Sequence, residues 1–130
     1  GKQNIAEGAA AGNTSKETEI KLTNVAKASL QELLVDYEDF LRVRGLKQWQ
    51  PDDARLAQTK RACAAHNDSE YYRKAMPERS AETIANIAIT LIHQTDWLLN
   101  KLIEKLEIQF VENGGVKEQM TKARKEYRGY

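Results

Sequence analysis

Apolar side chains return every three or four residues along most of this chain, the period of an amphipathic helix, and no segment alternates as a strand would. Thr14 and Glu17 have the spacing of a capping box, in which the hydroxyl accepts from an early backbone N–H and the carboxylate reaches back to the cap. Steps of about 100° per residue from there place Leu22, Ala26, Leu30, Leu33, Leu34, Tyr37, Phe40 and Leu41 on one face. Lys21, Asn24, Gln31, Glu38 and Asp39 take the other. The pattern predicts one helix over about residues 15–44, ended by Gly45 in a left-handed cap, with Arg42 and Arg44 at the negative end of its dipole.

Gln50-Pro51-Asp52-Asp53 predicts a second helix over about 51–66, with proline at the first position and acids in the first turn. Ala54, Ala57, Ala62, Ala64 and Ala65 leave room for a neighbour to approach closely. Asn67-Asp68-Ser69 interrupts it, Glu70 to Ala75 has the length of a further helical turn or two, and Met76-Pro77 ends the piece. Ser80 is expected to cap the longest and most apolar helix, about Ala81 to Glu112. Its main stripe reads Ile84, Ala88, Leu91, Thr95, Leu98, Leu102 and Leu106, broadened by Ile87, Ile92, Leu99, Ile103 and Phe110, which is wide enough for more than one neighbour. Asn113-Gly114-Gly115 reads as its stop, before a short terminal helix from Val116 to Arg128 with Val116, Met120, Ala123 and Tyr127 facing inward. The expected fold is all-α, an antiparallel helical bundle, because the connections are mostly short. Residues 1–79 would form the bundle portion and 80–130 the long and terminal helices, as one compact unit.

Size and composition agree with a single helical domain: 130 residues, 41% hydrophobic and 30% charged, with two prolines. The net charge of +1 announces no partner, but its distribution is uneven. Residues 1–40 carry 4 basic and 7 acidic side chains and 80–115 carry 2 and 5, whereas 41–79 carry 9 and 5 and 116–130 carry 5 and 2. The middle segment and the C-terminal segment are therefore basic. Cys63 is the single cysteine, so no internal disulfide forms and a reducing cytoplasm is the expected compartment. No apolar stretch reaches membrane-spanning length and no signal peptide is visible, so no membrane partner is expected. The chain opens Gly1-Lys2-Gln3 without an initiator methionine, as a piece of a longer protein would.

Asn4-Ile5-Ala6-Glu7-Gly8, then Ser15-Lys16, then Ala26-Lys27-Ala28-Ser29-Leu30-Gln31-Glu32-Leu33 resembles the core signature of the four-helix-bundle proteins typified by the ribosomal-RNA intervening-sequence protein. In that family the first stretch closes the second helix and the others form the third. Ile84-Ala85-Asn86-Ile87 through Leu91-Ile92-His93-Gln94 to Gly114-Gly115 and Met120 is similar to the C-terminal suffix extension of one branch. The family's first helix and most of its second have no counterpart here, so the chain is either a fragment or recovers the missing face by association. A bundle stripped of a helix exposes apolar surface that soluble monomers avoid. The resemblance implies a non-enzymatic, ring-forming homo-oligomer, pentameric in relatives. One relative is an accessory to the reverse transcriptase of diversity-generating retroelements and contacts nucleic acid. The implied function is a non-catalytic oligomeric scaffold that binds RNA or DNA, or a nucleic-acid-processing partner; the alternative is an assembly module that meets only protein.

Two segments are candidates for nucleic acid. On the terminal helix Lys117, Arg124 and Arg128 fall within about 40° of one another, with Thr121 beside them, a row suited to successive phosphates. In the middle segment Arg55, Lys60, Arg61, Arg73, Lys74 and Arg79 surround Tyr71 and Tyr72, a mixture that suits backbone neutralisation and base stacking on a single strand. The plainer reading is a solvated face in the first case and, in the second, two tyrosines packing a loop with their hydroxyls wet. His93, Trp97, Lys101, Glu104 and Ile108 lie opposite the main stripe of the long helix. They read either as a subunit contact or, for Trp97, as packing under the terminal helix of the same chain. Glu32, Asp36 and Asp39 form an acidic flank, solvated or matched to a basic patch on a neighbouring subunit. No catalytic constellation, cofactor motif or small-molecule substrate is indicated, and His93 reads as structural. Cys63 and His66 have a metal-ligand spacing but lack two further ligands, so no metal is expected.

Overall fold

The computed structural model describes the backbone of residues 12–121 and the side-chain surroundings of residues 15–113. Among the described residues the chain is all-α, with four helices and no strand: α1 Gly12–Val43, α2 Ala54–Ala65, α3 Ser69–Ala75 and α4 Ala81–Thr121. The family-like stretch Asn4–Gly8 lies outside them. The described residues fall into two compact units, one comprising 12–26 with 99–121 and the other Lys27–Leu98.

The helix ends show which local signals operate. α1 is already helical at Gly12, so Thr14 cannot be its cap and the expected capping box does not form; Glu17 instead pairs with Lys21 one turn on, at 3.9 Å. Its other end closes as expected. Gly45 takes φ +68, the Leu46 N–H donates to the Leu41 carbonyl at 2.8 Å and the Gly45 N–H to that of Arg42 at 3.2 Å, the paired bonds of a Schellman motif. Pro51 and Asp52 lie in a turn outside α2 rather than in its first turn. Asp53 is the N-cap, because its carboxylate can accept the Arg55 N–H at 2.9 Å. Asp68 caps α3 through the Tyr71 N–H, and Ser80 Oγ accepts from the Thr83 N–H at the start of α4.

Gly114 and Gly115 do not stop α4, and no separate helix begins at Val116; the helix runs unbroken to Thr121. Glycine inside a helix costs about 1 kcal/mol relative to alanine but leaves the backbone ladder intact, and no proline follows to break it.

In the unit Lys27–Leu98, Leu34 and Leu41 of α1 pack with Ala85, Ile89 and Ile92 of α4. Leu30, Tyr37, Phe40 and Leu46 extend the cluster. Lys27 Nζ donates to Asp96 Oδ1 at 3.0 Å, with Gln31 Nε2 at 3.5 Å from the same oxygen. The buried face of α4 is the expected stripe moved on by one residue, from Ile84, Ala88 and Leu91 to Ala85, Ile89 and Ile92, a turn of about 100°. Asn86 and Thr90 are buried beside it, while Leu98 and Leu102 of the expected stripe are exposed. The reason is the segment 46–49, which crosses this face and requires a polar partner there. In the unit of 12–26 with 99–121, Thr23 and Leu106 are buried, and the Thr23 hydroxyl is spent on the Glu19 carbonyl at 2.8 Å. Leu22, expected on the inner face, is instead 64% exposed, and Val25 is 62% exposed.

Candidate functional site

The crossing segment is held by two residues of α4 in successive turns. Glu82 accepts the Lys47 N–H through Oε1 and the Trp49 indole N–H through Oε2, each at 3.0 Å. Asn86 accepts the Trp49 N–H at 2.8 Å and donates to the Lys47 carbonyl at 2.9 Å and the Glu82 carbonyl at 2.8 Å. Trp49 is thereby buried, and the Arg55 guanidinium covers its ring at 4.8 Å from the centroid. Arg55 also bonds Asp53 through Nε at 3.0 Å and Nη2 at 2.8 Å, and Glu82 through Nη1 at 3.4 Å.

These contacts set the local charge states. The Arg55 side chain, helped by its own backbone N–H, pushes the Asp53 carboxyl down to about 2. The Lys47 N–H and then the Trp49 indole hold Glu82 below its usual range, and Asp53 raises Arg55 in return. Arg55, named with the basic segment, is therefore paired with Asp53 and Glu82 while its side chain stays half exposed.

The remaining members of that segment divide. Arg73 is paired with Glu70 at 3.0 Å, and Arg79 Nε donates to the Ala75 carbonyl at 3.3 Å. Lys60, Arg61 and Lys74 are exposed and enter no ion pair among the described residues. Tyr71 stacks on His66 with centroids 3.7 Å apart and planes 1° from parallel. Tyr72 meets Tyr71 edge-on and donates its hydroxyl to the His66 carbonyl at 2.6 Å, so its hydroxyl is not wet as expected. Burial raises both the Tyr72 phenol and the Cys63 thiol that it faces. His66 thus serves as a stacking partner, and no metal-binding group of three or more ligands occurs among the described residues. A cleft of about 330 Å³ lies among Arg55, Tyr71, Tyr72, Met76, Arg79 and Ile87.

A second concavity, about 440 Å³, opens between the crossing segment, α2 and α4. Here the structure brings together His93 and Trp97 from the proposed subunit contact with Lys60 from the basic segment. Trp97 is 59% exposed and forms one wall of this groove, and the side chains of the expected terminal helix lie outside the described surroundings. Lys101 and Ile108 are also exposed, further along α4. Lys117 and Thr121 lie on the described backbone of α4, but their side chains, like all of Arg124 and Arg128, lie outside the described surroundings. Glu82, Asn86 and Trp49 were not singled out by the sequence reading; the one available signal was an amide set inside the apolar run Ile84-Ala85-Asn86-Ile87-Ala88-Ile89.

No family model, curated protein or solved structure matches the chain. The likeness to the intervening-sequence proteins therefore rests on its motifs alone.

Proposed function

We propose that this chain is a non-catalytic helical scaffold that assembles with further copies of itself. The observation that carries the reading is the exposure of large apolar side chains at helical spacing. Leu22 and Val25 lie one turn apart on α1, and Ile108 and Val111 one turn apart on α4. Exposed large apolar side chains at such spacing are what interfaces between chains cover. The contacts from Lys27–Asp96 to Glu82 with Lys47 support an antiparallel bundle arrangement, and the motif likeness supports a closed ring as the assembled form. The lone buried thiol of Cys63 suits a cytoplasmic setting.

Molar mass from light scattering tests this reading. A multiple of the chain mass is expected, reduced to one chain by Leu22→Glu with Val25→Glu or by Ile108→Glu with Val111→Glu. A monomer with these residues intact would overturn it.

A second reading, that the scaffold carries RNA or DNA, is favoured by Lys60, Arg61 and Lys74, exposed cations of the middle segment that pair with no carboxylate among the described residues. Polarisation titrations with single-stranded oligonucleotides at low salt are then expected to show binding that weakens steeply with salt and falls on Lys60→Gln, Arg61→Gln and Lys74→Gln.

A further inference from the structure

The groove at Trp97 has a one-sided charge. The chain has 20 basic and 19 acidic side chains, yet the groove is lined by Lys60 and His93 and by no carboxylate. Its volume of about 440 Å³ falls within the range of small-ligand sites, about 300–1,000 Å³. The walls are Trp49, Pro51, Leu56, Ile89 and Trp97.

Several polar groups among the lining residues also bond the chain itself. Asn86 bonds the crossing segment and Thr90 Oγ1 donates to the Asn86 carbonyl at 2.9 Å. Gln94 donates to the Lys60 carbonyl at 3.2 Å, Gln50 to the Gln48 carbonyl at 3.2 Å, and Gln48 to Glu38 at 3.3 Å. The Lys60 ammonium and the His93 ring enter no hydrogen bond or ion pair among the described residues. A guest thus meets apolar walls with the Lys60 ammonium at the rim.

We infer that this groove is a binding site for a small organic acid: a compact apolar body carrying one carboxylate, the body against Leu56, Ile89 and the two tryptophans, the carboxylate at Lys60 and His93. The charge complementarity selects an anion, and the apolar walls select an apolar body. The site goes beyond the scaffold reading and does not depend on it.

Adamantane carboxylate, its neutral carboxamide and the corresponding adamantyl ammonium are suitable probes, because none absorbs where tryptophan does. Trp49 and Trp97 are the only tryptophans of the chain and both line the groove, so their emission reports occupancy directly. The carboxylate is expected to bind saturably, one per chain by calorimetry, about tenfold or more tightly than the carboxamide, with no binding of the ammonium. Lys60→Gln, at an exposed position, should bring carboxylate and carboxamide within about threefold of each other. Equal affinities for the three probes, no change in emission, or an acid preference that survives Lys60→Gln would overturn the inference. So would binding that disappears as protein concentration and assembly rise together, since a second copy would then occupy the groove.

Discussion

The amide of Asn86 and the backbone of Trp49 are bonded at 2.8 Å across 37 residues of sequence. That bond, with the one Asn86 makes to the Lys47 carbonyl, gives a segment without regular structure the pairing that a strand partner would otherwise supply. It also explains why a polar residue that is 2% exposed sits on the inner face of the most apolar helix.

Replacing Asn86 with leucine keeps the volume but leaves the buried Trp49 N–H and the partly buried Lys47 carbonyl without these partners. A buried polar group left unpaired costs about 1–3 kcal/mol, so the variant should lose roughly 3 kcal/mol or more of stability. Denaturant unfolding measures it, and Trp49 emission should shift to longer wavelength as the segment lifts. Asn86→Asp keeps the acceptor for Trp49 but removes the donor to Lys47 and buries a charge near Glu82, so it should be no milder.

The same segment confers sensitivity to acid. Asp53 and Glu82 both have carboxyls lowered in the native state, so in the window between their native and unfolded values the unfolded chain binds more protons. Their contribution to stability is complete above about pH 4.5 and is lost as pH falls toward about 2, through the native value of Asp53. Thermal midpoints measured across that window should fall with decreasing pH. Asp53→Asn should be less stable at neutral pH and show a shallower acid slope. An unchanged slope would mean that Arg55 does not hold this carboxylate in solution.

Much of the fold was legible because it depends on local chemistry. Gly45 and Ser80 end and begin helices through bonds within a few residues, and their types announce those bonds. What could not be read is set by partners distant in sequence. The inner face of α4 was misplaced by one residue because hydrophobic periodicity weighs Ile84 and Leu91 above Asn86, whereas the crossing segment makes Asn86 the better inward residue. The basic segment looks uniform in sequence, yet Arg55 pairs with Asp53 and with Glu82, which lies 27 residues away. The groove at Trp97 had no signature at all, since Lys60, Leu56 and His93 meet only in the folded chain.

Cys63 is the only thiol, and it is 4% exposed with its ionisation disfavoured by burial. A thiol must be both reachable and ionised to react, so iodoacetamide at neutral pH should modify the native protein far more slowly than the urea-unfolded chain. Tyr72→Phe removes the hydroxyl that bonds the His66 carbonyl and faces the thiol, loosening the junction between α2 and α3. Alkylation of Cys63 should then accelerate while the helical circular dichroism changes little. If the native and unfolded rates are equal, the packing of α2 against Tyr72 is not maintained in solution.

The continuation of α4 past Asn113 gives a test that separates a helix from a stop. A glycine in a left-handed cap resists alanine, because a side chain there is forced into an unfavourable φ, whereas a glycine in a helix welcomes it. Gly45, at φ +68, is of the first kind: Gly45→Ala should destabilise by about 1 kcal/mol although nothing lies within 4 Å of the added methyl. Gly114 and Gly115 are of the second kind, so Gly114→Ala with Gly115→Ala should raise the helical signal and favour the helix by about 1 kcal/mol per site. Circular dichroism and thermal unfolding of the two variants read opposite signs from the same substitution. A loss of helix on replacing Gly114 and Gly115 would place a cap there and end α4 where the sequence alone had put its stop.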